Sequence, residues 1–228
     1  SKDNAIPREA VAVLAVPDAD GAVPLLTDIG EAIAAELCEA DRGFRLSVSP
    51  TDTPCKMLSA ATTRGAITVL ACAANGVLEM SRKVAGLVEF SRNLGVIRQE
   101  DGKLTFVFSS RSSIEEQLNA SQRDLDLLAS AVGGKVRHHS RYPGWSYAEK
   151  SAIRDAYLSA FREGTGADAR VNVIHAGLEC SVIHDHVPDM DMISIGPDMK
   201  DIHSPDEALD LSSVEHFWTV LAHVIKEI

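Results

Sequence analysis

Two histidines, a glutamate and a glycine, each set beside a short apolar run, are the residues of this chain best placed to do chemistry. His175-Ala176-Gly177-Leu178-Glu179-Cys180 follows Val171-Asn172-Val173-Ile174. That β-branched run reads as a buried strand delivering His175 and Gly177 to its end. Met192-Ile193-Ser194-Ile195 reads as a second strand, broken by Gly196-Pro197. His203-Ser204-Pro205-Asp206-Glu207 lies beyond it in an irregular loop. Strand ends that carry imidazole, carboxylate and glycine are a common way for α/β enzymes to build a site. Imidazole suits zinc, and glycine lets a ligand come close to backbone. Each residue also has a plainer reading: a solvated loop histidine, a strand-end glycine, a structural carboxylate. Arg111 follows a strand-like run and precedes a helix start, where the macrodipole disfavours a cation. A guanidinium fork there matches a carboxylate bidentately.

These segments occur together with Asn4-Ala5-Ile6-Pro7-Arg8-Glu9-Ala10 near the start and Tyr142-Pro143-Gly144-Trp145 further on. In that order they resemble the C-terminal signature of the aminoacyl-histidine dipeptidases, bacterial relatives of the carnosinases within a large family of di-zinc peptidases. The resemblance covers essentially the whole chain. It implies a zinc metallodipeptidase in which two zinc ions activate water and a lid domain holds the ends of a dipeptide such as β-alanyl-histidine. By resemblance His203 is a zinc ligand, and Arg111 clamps the C-terminal carboxylate of the substrate. Asn4 helps to bind substrate or stabilise the oxyanion, Gly177 permits close approach, and Glu179 holds the substrate amino terminus or supports the metal shell. Family members have roughly twice this length, and their N-terminal half carries the catalytic glutamate and most zinc ligands. The chain therefore reads as a C-terminal piece with no catalytic residue of its own, an incomplete zinc site and no activity alone. Ser181 stands where the family commonly has glycine. The competing reading is a non-catalytic module, a lid-like sandwich serving dimerisation or small-ligand sensing.

The totals are consistent with either. A chain of 228 residues, 45% hydrophobic, can bury a core and form one or two domains. A net charge of −11 argues against nucleic acid and against an anionic membrane surface. No apolar run reaches membrane-span length and no signal peptide opens the chain. Cys38, Cys55, Cys72 and Cys180 show no zinc-ribbon spacing, so reduced, mostly buried thiols in a cytoplasmic protein are expected.

The elements that must position the site follow from periodicity. Ala10–Val16 reads as an apolar strand, Pro24 to about Ala40 as a helix, Phe44–Val48 as a half-buried strand, and Lys56–Ala74 as a second helix. Leu87–Ile97 and Lys103–Ser109 read as strands joined by a Glu100-Asp101-Gly102 hairpin turn. Ile114 to Val132 is an amphipathic helix stopped by Gly133-Gly134, and Lys135–Arg141 is a short extended segment. Helices over about Glu149–Glu163 and Ser212–Ile228 follow, the last with Val214, Phe217, Trp218, Leu221 and Val224 on its inner face. The fold class is mixed, α/β in the broad sense (α+β). Residues 1–141 form a two-layer antiparallel-sheet sandwich, by resemblance the lid domain, lacking its first strand and helix. Residues 142–228 form the C-terminal part of an α/β zinc-peptidase catalytic domain. A sheet missing a partner strand leaves an edge that invites association, a homodimer included. His138-His139, His184/His186 and His216/His223 are expected to bind no metal.

Overall fold

The computed structural model describes residues 5–37, 41–51, 56–173, 178–202 and 206–227. The elements in order are α1 (Ala19–Glu36), α2 (Ala60–Cys72), β1 (Gly76–Met80), β2 (Val88–Glu100), β3 (Lys103–Ser112), α3 (Glu115–Ala131), α4 (Ala152–Thr165), α5 (Glu179–His186), β4 (Met199–Lys200), β5 (Ala208–Leu209) and α6 (Leu211–Glu227). The architecture is α+β, with antiparallel sheets. The chain divides into two compact units, residues 8–64 and residues 1–7 with 65–228.

In the smaller unit, α1 starts at an Asp18 cap whose side chain accepts from Gly21 N–H at 3.0 Å. The helix therefore begins five residues before the expected Pro24, which it carries in its interior. Ala10–Val16 and Phe44–Val48 are not strands. Apolar β-branched composition makes a segment capable of pairing, but a strand exists only where a neighbour completes its ladder. Neither run has such a neighbour among the described residues, and Val11 is 93% exposed.

The larger unit holds a three-stranded antiparallel sheet in the order β1-β2-β3. Asp101 and Gly102 both adopt left-handed backbone (φ 51° and 72°), the conformation a tight two-residue hairpin needs, so the expected turn forms where the sequence puts it. β1 was not anticipated, because Gly76-Val77-Leu78-Glu79-Met80 is short and shows no clear alternation. α3 lies against one face of the sheet. Arg92 on β2 is only 2% exposed, and its guanidinium donates to Ser121 Oγ (3.1 and 2.8 Å) and Ser121 O (3.3 Å) on α3. Ser110 on β3 shares a hydrogen bond with the same hydroxyl at 2.7 Å. Phe90, Arg92, Ser110 and Ser112 thus define the helix-covered face. By strand alternation Glu89, Ser91, Asn93, Ser109 and Arg111 point the other way.

A second core lies between α4 and α6, where Ala160, Val220 and Val224 are buried with Ile153, Tyr157 and Phe161 around them. Trp218 is not in it: it is 67% exposed. Phe217, Val220 and Val224 recur at three- and four-residue spacing, and Trp218 sits about 100° around the helix from Phe217, so the inner face excludes it. Val171–Val173 and Met192–Ile195 form no strands, which removes the expected pair of strand ends from the described residues. α5 forms where the sequence pattern predicts no helix. Cys72 is exposed and Cys180 partly buried, both as free thiols, so burial fails as the general reading for Cys72; Cys38 and Cys55 lie outside the described residues.

Candidate substrate-binding face

Arg111 is a β3 residue, paired across the ladder with Ser91. It is half-buried, and its guanidinium has no hydrogen-bond or ion-pair partner among the described residues. Its nearest neighbours across the β2–β3 ladder on that face are small and polar. Ser91 and Asn93 on β2 stand opposite Arg111 and Ser109 on β3. An arginine held on a rigid strand, amid hydroxyl and amide groups, keeps a planar fork of donors free for an anion.

Asn93 does a second thing. Its amide donates to the carbonyl of Ala5 at 2.9 Å, across 88 residues of sequence. The N-terminal segment is thereby tied to the strand position next along the face from Ser91, the partner of Arg111. Asn4 itself lies outside the described residues, but the residue that follows it is tethered to the Arg111 face. Nothing in the sequence pattern singled out Ser91, Asn93 or Ser109. Ser91-Arg92-Asn93 is polar at three consecutive positions, so which of these residues share a face stays uninformative until the register is known.

The segment Tyr142-Pro143-Gly144-Trp145 is fastened just beyond the end of β3. Gly144 N–H donates to Glu115 Oε2 at 3.2 Å, and Ser146 Oγ donates to the Ser113 carbonyl at 3.0 Å. Arg141 bonds Glu115, and also donates to Gln122 Oε1 (2.9 Å) and Asn119 Oδ1 (2.6 Å). Burial pushes the Glu115 carboxyl up, but the Arg141 hydrogen bond, the Gly144 N–H and the Arg141 charge together outweigh it and hold the group below its ordinary value. Gly144 is required by close approach: a Cβ there would stand 2.5 Å from Ser113 O.

Glu179 is the other expected site residue among the described ones. It is exposed in the first turn of α5, where a carboxylate is favoured by the helix dipole, and it makes no hydrogen bond among the described residues. Ser181, the departure from the family pattern, is 1% exposed and donates its hydroxyl to Leu178 O at 2.6 Å. Gly177 and His203 lie outside the described residues. Asp191, from the stretch between the two motifs, has a local task. It accepts from Ile153 N–H at 3.0 Å at the start of α4. The Ser151 hydroxyl first, then the Ile153 and Ala152 amides and the Arg154 charge, hold its carboxyl below its ordinary value. Asp210 is likewise lowered, by the Ser212 hydroxyl and amide first, at the head of α6.

Among the described residues no three His, Cys, Asp or Glu side chains come close enough to share a metal ion. His138 bonds Asp126 at 2.9 Å, and His186 Nδ1 lies 2.9 Å from Val182 O. His184 Nδ1 is shielded from solvent and has no partner among the described residues. No described helix is long and apolar enough to cross a membrane.

No family model matches the chain. It is 33% identical over 227 residues, 99% of its own length, to the cytosol non-specific dipeptidase of Escherichia coli (strain K12). Those residues make up 47% of that protein, so the chain spans about half the length of the curated relative it matches. The crystal structure of an aminoacylhistidine dipeptidase from Vibrio alginolyticus superposes with a TM-score of 0.82 at 30% identity, over 92% of this chain and 43% of that one. An aminopeptidase PepT structure from Bacillus cereus ATCC 10987 shares the fold over 72% of this chain and 44% of that one, with a TM-score of 0.58 at 18% identity.

Proposed function

We propose that this chain is the substrate-gripping portion of a cytoplasmic metallodipeptidase, and that Arg111 holds the C-terminal carboxylate of the dipeptide. The observation that carries the reading is Arg111 itself, a strand-borne guanidinium without a partner among the described residues, on the sheet face turned away from α3. Similarity to dipeptidases along nearly the whole chain supplies the reaction class. On this reading residues 1–141 are a lid and residues 142–228 the C-terminal part of a catalytic domain. The unpaired runs Val171–Val173 and Met192–Ile195 would become strands only with ladder partners supplied by the rest of the enzyme. Aminoacyl-histidine and related dipeptides are the substrates, Asn4, Gly177 and Glu179 contribute contacts, and His203 supplies one metal ligand.

Zinc is the metal this reading implies. A catalytic zinc takes three protein ligands and leaves a position for water. The described residues offer no such set, and one histidine does not make one. No chemical step is therefore assigned to this chain beyond binding and orienting the dipeptide. Exposed apolar residues on α6, with Leu211 at 78%, Trp218 at 67% and Ile225 at 66%, recur every seven residues and favour association, either with the remainder of the enzyme or as a homodimer.

The test is an activity comparison. The 228 residues alone should leave β-alanyl-histidine intact, while the same residues joined to the remaining half of a dipeptidase chain should hydrolyse it in a metal-dependent way. Hydrolysis by the 228 residues alone, or none by the joined protein with metal supplied, would overturn the proposal.

A further inference from the structure

The unit that holds Arg111 also contains a cavity of about 200 Å³ whose lining includes Glu79, Arg82, Lys83, Glu89, Ser113 and Tyr147. Glu89 is its anomaly. The residue is only 9% exposed, and the hydroxyl of Ser113 is its side-chain partner; no cation pairs with it among the described residues. The two cationic side chains of the lining are engaged elsewhere, Arg82 with Glu79 at 3.4 Å and Lys83 with Glu149 at 3.5 Å. A carboxylate withdrawn from water without a counter-charge is costly, and such groups ordinarily have a partner. Here the carboxylate borders an open space that a partner could enter.

Its position relative to Arg111 is set by the ladder. Arg111 pairs with Ser91, and Glu89 lies two residues before Ser91 on the same face of β2. Two strand residues span about 7 Å, comparable with the reach of a long side chain from its own α-carboxylate. We propose that this cavity is the side-chain subsite for the C-terminal residue of the substrate. Arg111 takes the carboxylate, and Glu89, aimed by Ser113, takes a cationic or N–H-donating side chain. The subsite rests on the carboxylate-clamp reading above and adds to it a preference for basic C-terminal residues.

Titration of the 228-residue chain with L-lysine, L-norleucine and lysine amide tests it. Norleucine matches the aliphatic stem of lysine without its ammonium. L-Lysine should bind roughly tenfold or more tightly than norleucine, the range of one hydrogen bond to a charged group. Glu89→Gln, which keeps shape and the Ser113 contact, should abolish that ratio and leave norleucine affinity unchanged, and Glu89→Asp should restore part of it. A general attraction of cations to a chain of net charge −11 would survive the loss of one carboxylate. Equal affinities for lysine and norleucine in the wild type, or a ratio unchanged in a Glu89→Gln protein with native circular dichroism and melting, would overturn the proposal. Arg111→Ala should weaken both amino acids alike, keep the ratio between them, and bring lysine level with lysine amide. If Arg111→Ala changes nothing while Glu89→Gln still removes the ratio, the subsite stands and the clamp reading fails.

Discussion

Replacing Gly144 by alanine puts a methyl group where the structure has no room. Its Cβ would lie 2.5 Å from the Ser113 carbonyl oxygen, 2.8 Å from the carbonyl carbon and 3.0 Å from the Glu115 nitrogen. All three are backbone atoms at the junction of β3 and α3, so no flexible side-chain tip can yield. Forcing a methyl group into such a site costs about 1–3 kcal/mol. Moving the segment away also stretches the bonds from Gly144 N–H to Glu115 (3.2 Å) and from Ser146 to Ser113 O (3.0 Å). Both are partly solvated, and together they add up to about 1 kcal/mol. A loss of about 2–3 kcal/mol is expected, roughly a 30- to 150-fold shift in the folding equilibrium. Gly196→Ala is the control, since a Cβ there meets nothing within 4 Å, and its effect should stay within about 0.5 kcal/mol. Urea unfolding of both variants measures the difference. A Gly144→Ala midpoint equal to that of Gly196→Ala would refute the account of how Tyr142–Trp145 is held.

The lowered Asp191 carboxyl stabilises the start of α4 above its ordinary value near 3.8, and this is lost as pH falls through the lower folded value. The melting-temperature gap between wild type and Asp191→Asn should therefore be full at pH 6 and close progressively below about pH 4; a gap constant with pH would contradict this. Val220→Ala should destabilise the α4–α6 core by about 1–3 kcal/mol in urea melts, because that side chain is 1% exposed. Trp218→Lys should leave the melt nearly unchanged and reduce self-association in sedimentation, because the indole is 67% exposed.

Legibility in the sequence followed locality. The β2–β3 hairpin was readable because Asp101-Gly102 sits between two alternating runs, and both residues do take left-handed backbone. α3, α4 and α6 were readable from periodicity, with Ser151 and Gly166 ending α4 as their residue types suggest. Ala10–Val16, Val171–Val173 and Met192–Ile195 misled because composition reports a capacity to pair, while pairing needs a neighbour that composition does not specify. Trp218 departs from the expected inner face because its angle on the helix, and not its bulk or hydrophobicity, decides its burial. Arg111 was legible through its motif, although it lies within β3 rather than between a strand and a helix start. The face around it was invisible, since Ser91, Asn93 and Ser109 converge only through the register, and the Asn93 bond to Ala5 spans 88 residues. Glu89 and Ser113 escaped for the same reason.

The central claim is that Arg111 grips a substrate carboxylate, and the direct measurement uses two enzymes and two substrates. Wild type and Arg111→Ala, each within the complete dipeptidase, are assayed on a free-acid dipeptide and on its C-terminal amide. Losing a charge-assisted contact to a desolvated carboxylate costs about 2–5 kcal/mol, so kcat/KM for the acid should fall roughly thirty- to several-thousandfold. The amide, a poor substrate for wild type, should be almost insensitive to the substitution, and metal content should not change. Equal losses on acid and amide would make Arg111 structural and contradict the claim.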